Sequence, residues 1–198
     1  LERVRAITDT EGLMEQLGEL IRAVVNTTMA ASDEERARAT VTHKGAHPVL
    51  TGALVIVRNV CTANCLSVAC ADSCVQCVID ADILPLLLHQ LYHDDIYVRS
   101  CTCAIVANIL AGSNAQIRAV LRVDQTSAAV SIGRFIPKFL DLISIPTEAP
   151  KLEAECYRTP GEPDEPDWRE LSVVRLEAAW ALANFSGASY EARCALLD

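Results

Sequence analysis

The feature of this sequence that most limits its fold is an apolar segment that recurs and each time ends in asparagine. The three copies are ALVIVRNVC, CTCAIVANILAGS and EAAWALANFSGAS, in which the asparagines are Asn59, Asn108 and Asn184. The second and third copies are each preceded by a Leu-rich segment that opens with proline, at Pro85 and Pro137. Proline is favoured in the first turn of a helix, and a recurring unit is typical of repeat architectures. The sequence therefore predicts a stack of helical units.

One stretch interrupts the repeat. In the second copy 23 residues separate the proline from the asparagine, and in the third copy 47 do, a difference of 24. Residues 145–168 hold five of the eight prolines, seven acids and two basic side chains, a composition that does not bury enough apolar area to offset ordering. We predict a solvated acidic insertion loop there. Removing it superposes the two copies, with Val98 and Val174 each ten residues before the asparagine.

An amphipathic helix is predicted near the start of the chain. Its apolar side chains recur at helical spacing, at Leu13, Leu17, Leu20, Ile21 and Val24. The polar residues 26–47 are predicted to connect this helix to the next apolar run. Residues 1–198 are thus expected to form a single solenoid fragment of about three partial or complete repeats.

Charge and composition exclude several functions. The chain has 26 acidic and 17 basic side chains and a net charge of −9, which disfavours binding to nucleic-acid phosphates. Its longest apolar runs fall far short of the roughly 20 residues of a membrane span. Motifs of nucleophilic, phosphate-binding and dinucleotide-binding enzymes are absent, so we expect no enzyme and no cofactor. The nine cysteines are interpreted as reduced thiols of a cytosolic or nuclear protein.

The repeats resemble the armadillo-repeat family. GRFIPKFLDLI is similar to that family's second helix and VRLEAAWALANFSGAS to its third, and the latter is most similar to importin-α, the adaptor for basic nuclear localisation signals. The resemblance implies an all-α, right-handed superhelical solenoid. Asp82 stands where the family prefers glycine, and its tryptophan position is filled only by Trp180, with Ala104 and Val55 in the other copies.

The resemblance also implies a binding site. Trp180 and Asn184 are four residues apart and share one face of a helix, where the indole would receive a Lys stem and the amide a peptide main chain. Asn108 and Asn59 are the corresponding candidates in the other copies, and Glu177 would face a basic ligand. Leu176, Ala179 and residues 182–183 are expected to pack inward. The alternative is that Trp180 belongs to the core and Asn184 caps a helix.

Another segment has a Cys/His spacing similar to that of a zinc site. The spacing Cys74-x2-Cys77-x11-His89-x3-His93 comes within one residue of a Cys2His2 finger, but the intervening residues lack the basic, aromatic pattern of a finger. We therefore expect no metal and interpret the thiols as packed between helices.

The resulting functional hypothesis is a nuclear import adaptor that binds basic peptides in an inner groove and moves between cytoplasm and nucleus. The resemblance further implies an importin-β-type carrier as a partner. The alternative is a general armadillo scaffold for protein partners that does not recognise basic peptides. Neither hypothesis involves nucleic acid or membrane.

Overall fold

The structure, a computed structural model, describes residues 12–30, 48–62, 68–93, 95–128, 134–144 and 168–187, and all regular structure in these ranges is helical. The helices are α1 (Leu13–Ala30), α2 (Pro48–Cys61), α3 (Val68–Asp80), α4 (Leu84–Gln90), α5 (Ile96–Leu110), α6 (Asn114–Ala128), α7 (Phe135–Ser144) and α8 (Trp168–Ser186). None of them combines the length and apolar character that a bilayer crossing requires.

The helices fall into three recurring kinds. Helices α2, α5 and α8 end in the repeated asparagine segment, and α5 packs between α2 and α8. Helices α1, α4 and α7 hold the preceding place in successive units, since they contact α2, α5 and α8 respectively. Helices α3 and α6 contact each other and open a unit. The predicted all-α stack of three-helix repeats is confirmed.

The start of α4 shows why aspartate can replace glycine in this repeat. Asp82 has a φ of +53°, and Gly12, directly before α1, has a φ of +74°. Both residues thus adopt the left-handed conformation that glycine takes freely and aspartate tolerates better than most residues. Pro85 then lies in the first turn of α4, where no backbone N–H is needed.

The turn between α5 and α6 depends on a glutamine. Gln116 is buried, its Oε1 accepts a hydrogen bond from the Ser113 main-chain N–H (2.7 Å) and its Nε2 donates to the Asp72 main-chain oxygen (3.0 Å). A Cβ on Gly112 would lie 1.9 Å from the same Oε1. The glycine that follows Asn108 therefore makes room for a side chain that joins α6 to α3.

We call α2, α5 and α8 the ladder and number its positions from the asparagine. Helix α8 buries Val174, Ala178, Ala181 and Phe185, that is, positions −10, −6, −3 and +1. Helix α2 shares with α8 only the buried positions −6 and +1, and it further buries positions −9, −5, −2 and +2, at Leu50, Leu54, Val57 and Cys61. Central helix α5 buries residues of both sets, because it has a ladder neighbour on each side. We call positions −10 and −3 the leading face, and −5 and −2 the trailing face.

Three boundary or packing expectations differ from the structure. Helix α1 continues to Ala30, so residues 26–30 of the predicted connection are helical. Helix α8 begins at Trp168, the last residue of the predicted insertion. The remainder of both segments, 31–47 and 145–167, lies outside the described residues. The expectation that Leu176, Ala179 and Ala183 pack inward is wrong, because all three are exposed and α8 buries its leading face instead; Leu182 is half-buried.

Candidate binding surface

The ladder presents one face that the other helices of the described ranges cover least in α8, where Val173, Leu176 and Trp180 are exposed, whereas Ala104 on the same side of α5 is buried. On a helical wheel with 100° per residue, the leading and trailing faces lie next to each other, and positions 0, −4, −8 and −11 lie on the opposite side of the helix. We call this side the open face. Its members in α8 are Asn184, Trp180, Leu176 and Val173, and those in α5 are Asn108, Ser100, Tyr97 and the buried Ala104. The three ladder helices thus place equivalent positions side by side on one surface.

All five predicted site residues lie on the ladder. Trp180 is 59% exposed, so it is not a core residue. Asn59 is exposed, whereas Asn108 and Asn184 are half-buried. Glu177, at position −7, is half-buried beside α5. The structure therefore brings Trp180 and the three asparagines to the open face, while their proposed contact with a ligand stays a prediction.

Two of the asparagines join neighbouring ladder helices. Asn184 Nδ2 donates a hydrogen bond to the main-chain oxygen of Ala107 in α5, at 2.9 Å. Asn108 Nδ2 donates to Thr62 Oγ1, just after α2, at 3.1 Å. A side-chain amide has two N–H donors and an oxygen acceptor, so one such bond does not exhaust it. These amides consequently act in repeat stacking, a role that sequence reasoning missed.

Sequence reasoning also missed an apolar stripe beside Trp180. Val173 is 47% exposed and Leu176 is 66% exposed, and with Trp180 they follow one another at spacings of three and four residues along α8. Tyr97, at the position of Val173 in α5, is exposed as well. The stripe could have been found in the sequence by aligning α8 with α5 on Val174 and Val98. In that alignment the core position is −3, which is Ala181 in α8, and Trp180 at position −4 falls outside the core.

The electrostatics of the ladder differ from those of the whole chain. Its charged side chains, among those the structure describes, are Arg58, Arg99, Arg175 and Glu177. Arg175 Nη2 donates to the Ile143 main-chain oxygen at 3.1 Å, near the end of α7, where a cation favourably meets the carbonyl end of a helix. Although the chain has a net charge of −9, the described side chains of the ladder include three arginines and one glutamate.

Burial dominates the chemistry of the ladder thiols. Cys103 in α5 is fully buried, and desolvation, followed by the nearby Glu177, raises its pKa to about 12. Burial, followed by the neighbouring Cys74, also raises the pKa of Cys61 to about 12. A thiol is nucleophilic or metal-binding as the thiolate, so these two groups are inert at neutral pH.

Two residues of the zinc-like spacing, Cys74 and His93, have separate surroundings. Cys74 is buried in the hydrophobic core. His93 Nδ1 accepts a hydrogen bond from the Asp95 main-chain N–H at 2.9 Å, and the Asp95 side chain in turn caps α5 by accepting from the Tyr97 and Val98 N–H groups. In the ranges described, no group of three or more His, Cys, Asp or Glu side chains is placed to hold a metal ion. His93 serves the start of α5.

Comparison with known proteins defines the fold class. No model of a known protein family matches the chain, and no curated protein matches its sequence. An engineered protein of known crystal structure superposes on 100% of the chain with a TM-score of 0.60 and 22% identity. A designed armadillo repeat protein in complex with peptide (KR)4 covers 99% of it (TM-score 0.53, 19% identity).

A third structure, described as computationally designed armadillo repeat proteins for modular peptide recognition, covers 98% of the chain with a TM-score of 0.55 and 16% identity. The chain therefore has an armadillo-like repeat fold. It spans 55% to 60% of the length of these three proteins. At such identities the likeness concerns the fold alone.

Proposed function

We propose that this chain is a protein-interaction module that holds a peptide or extended protein segment against the open face of its ladder, and that it acts by binding rather than catalysis. The observation that supports this most is the stripe of Val173, Leu176 and Trp180, which exposes three large apolar side chains in a row. Contiguous exposed apolar surface is unfavourable in water and marks interaction sites in folded proteins.

The neighbouring polar groups suit a main-chain partner. Asn184 lies one turn beyond Trp180, and its amide has hydrogen-bonding capacity beyond the bond to Ala107. An aromatic ring beside a side-chain amide can bury a partner's side chain and hydrogen-bond its backbone at once. The two peptide-related armadillo designs share this fold, which is consistent with such a use.

A second candidate is the importin-α-like adaptor for basic peptides, with an importin-β-type carrier and traffic between cytoplasm and nucleus. The shared placement of Trp180 and Asn184 on the open face favours it, since an indole can receive a cationic side chain. The charge of the ladder disfavours it, because Glu177 is its one acid among the side chains described, beside three arginines. The general interaction module is therefore the better-supported proposal.

The test is selection of binding peptides followed by measurement of their affinity. Random 12-residue peptides would be selected on the intact chain, and the winners titrated by fluorescence anisotropy against the wild type, Trp180→Ala and Leu176→Glu. We expect each substitution to weaken binding at least ~10-fold, a change of ~1.4 kcal/mol. Leu140→Glu, an exposed apolar position on α7, is the matched control and should bind as the wild type does.

The composition of the selected peptides separates the two candidates. Lys/Arg-rich peptides whose affinity falls steeply with salt would favour the adaptor. Apolar or aromatic peptides with little salt dependence would favour the general module. Failure to select any peptide, or binding unchanged in both α8 variants, would contradict a binding role for the open face.

A further inference from the structure

The short link between α4 and α5 depends on one nitrogen of a histidine ring. Helix α4 ends at Gln90, and the His93 main-chain N–H donates back to the Gln90 oxygen at 3.2 Å. His93 Nδ1 then accepts a hydrogen bond from the Asp95 main-chain N–H at 2.9 Å. An imidazole nitrogen accepts a hydrogen bond only while it carries no proton, so this link requires a neutral His93 ring.

The residue that His93 holds is the one on which the first turn of α5 depends. Asp95 Oδ1 accepts hydrogen bonds from the N–H groups of Tyr97 (2.8 Å) and Val98 (3.1 Å), which have no main-chain partner within the helix. The Asp95 main-chain oxygen accepts from the Arg99 N–H at 3.3 Å. Because Val98 is fully buried, this turn also belongs to the core. The His93 ring thus restrains the start of a core helix.

This link lies inside the described repeat stack and not at one of its ends. Helix α5 packs between α2 and α8, and α4 contacts α1, α5 and α6. The link is also particular to the central unit. When the units are aligned on Gly12 and Asp82, the counterpart of His93 is Ala23, and α1 continues past it to Ala30 without a break. A change at His93 would therefore act on the helix that both other ladder helices contact.

We propose that His93 is a pH-sensitive switch of the central repeat: when its ring takes up a second proton, the hydrogen bond to Asp95 breaks and the first turn of α5 loosens. A protonated imidazole is a donor at both nitrogens, so two N–H groups would face each other across 2.9 Å. The ring or the main chain has to move, and either movement removes the restraint on Asp95. Histidine ordinarily gains this proton at about pH 6.5, so the switch acts between about pH 7.5 and about pH 5.

The charges around the link do not hold the protonated ring in place. The Asp95 carboxylate attracts a cation, but its position is fixed by the cap that it forms. Lys138 of α7 opposes a second cation, since its Nζ lies 4.5 Å from the ring centre of Tyr92, directly before His93. Asp94 lies outside the described residues. The other described charged side chains on the helices around α4 are Glu15, Glu19 and Arg22 of α1, Arg99 of α5, Arg118 and Arg122 of α6, and Arg134 and Asp141 of α7.

The test compares the pH dependence of the wild type with that of His93→Asn. An asparagine oxygen accepts from the main-chain N–H two residues on, as His93 Nδ1 does, and it does not titrate in this range. The unfolded chain binds the proton that the intact link rejects, so stability falls as the pH is lowered. We expect the melting temperature of the wild type, relative to His93→Asn, to fall by about 2–4 °C from about pH 7.5 to about pH 5.

His89→Gln is the matched control, since it removes the other described histidine one turn earlier and should keep the wild-type pH dependence. Proton–nitrogen NMR spectra of the intact wild type provide a second measurement that needs no variant. The amide signals of Asp95, Tyr97 and Val98 should shift together on acidification, and the Cα shifts of this turn should move toward random-coil values.

Two results would overturn the proposal. One is a wild type whose melting temperature follows that of His93→Asn at every pH or rises relative to it in acid. The other is a set of Asp95, Tyr97 and Val98 amide signals that stays unchanged on acidification. Neither result would bear on peptide binding at the open face, which Trp180→Ala tests separately at neutral pH.

Discussion

Helices α5 and α8 carry the same pattern and meet different surroundings. Both have valine at position −10 and asparagine at position 0, and both bury their leading face. At position −4, however, α5 has the buried Ala104 and α8 has the exposed Trp180. Packed on both sides, α5 contributes mainly to stability. Helix α8 has a single ladder neighbour among the described helices, and its positions −4 and −8, Trp180 and Leu176, are exposed.

The largest effect is expected for a core substitution in α5. Ile105 is fully buried at position −3, so Ile105→Ala should lower the free energy of unfolding by about 2–5 kcal/mol through lost burial and a cavity. Leu176→Ala, which removes a similar aliphatic side chain from the open face of α8, should cost under ~0.5 kcal/mol. Urea denaturation of both variants checks the contrast, and equal costs would contradict it.

A pH experiment sharpens the same comparison at position −5. The pKa of Cys103 is raised from 9.0 to about 12, so its burial stabilises the fold fully below pH 9. This contribution is lost as pH rises from 9 toward 12, because the unfolded thiol ionises and the folded one does not. The stability difference between wild type and Cys103→Ala should therefore shrink by about 1 kcal/mol from pH 9 to pH 10.

The equivalent position of α8 provides the control. Ala179→Cys would place a thiol on the exposed trailing face, and peptide mapping after brief native labelling should find it modified while Cys103 is protected. Equal labelling of the two positions would show that α5 is not packed as the structure has it.

Loss of an inter-repeat hydrogen bond should have a smaller effect. Asn184→Ala removes the donor to the Ala107 oxygen and should cost about 0.5–1.5 kcal/mol of stability. Asn108→Ala, whose amide meets the exposed Thr62 hydroxyl, should cost less. Thermal unfolding of both variants measures this. If Asn184→Ala lost no stability, the hydrogen bond to Ala107 would not contribute to repeat stacking, and only the proposed ligand contact would remain for that amide.

A small change in stability is also expected at Trp180. Trp180 is exposed, so Trp180→Ala should change the free energy of unfolding by under ~1 kcal/mol, against about 3–5 kcal/mol for a core tryptophan. Its effect should be seen in peptide affinity instead. If denaturant unfolding showed that Trp180→Ala lowers the free energy of unfolding by several kcal/mol, the indole would be a core residue and would not belong to an exposed stripe.

Local signals were sufficient for the fold. The asparagine spacing, Pro85 and Pro137 each act within one helix or turn, so they predicted the ladder helices and the helices before α5 and α8. The spacing of Trp180 and Asn184 likewise placed both on one face. Prediction failed at Leu176 and Ala179, which were expected to pack inward and are exposed. An apolar side chain does not reveal whether another helix lies against it.

By itself, the sequence determined the ladder helices, their order and the repeat, because helix periodicity and turn chemistry are properties of neighbouring residues. Only the tertiary structure decided which side of each ladder helix is buried, and that one N–H of Asn184 is used to join α8 to α5. It also decided that Ile56 and Ala179 are exposed where their counterparts are buried. Burial depends on the neighbour that a helix meets in space, and residues 77 apart in the chain, such as Asn184 and Ala107, become neighbours only once the repeats stack.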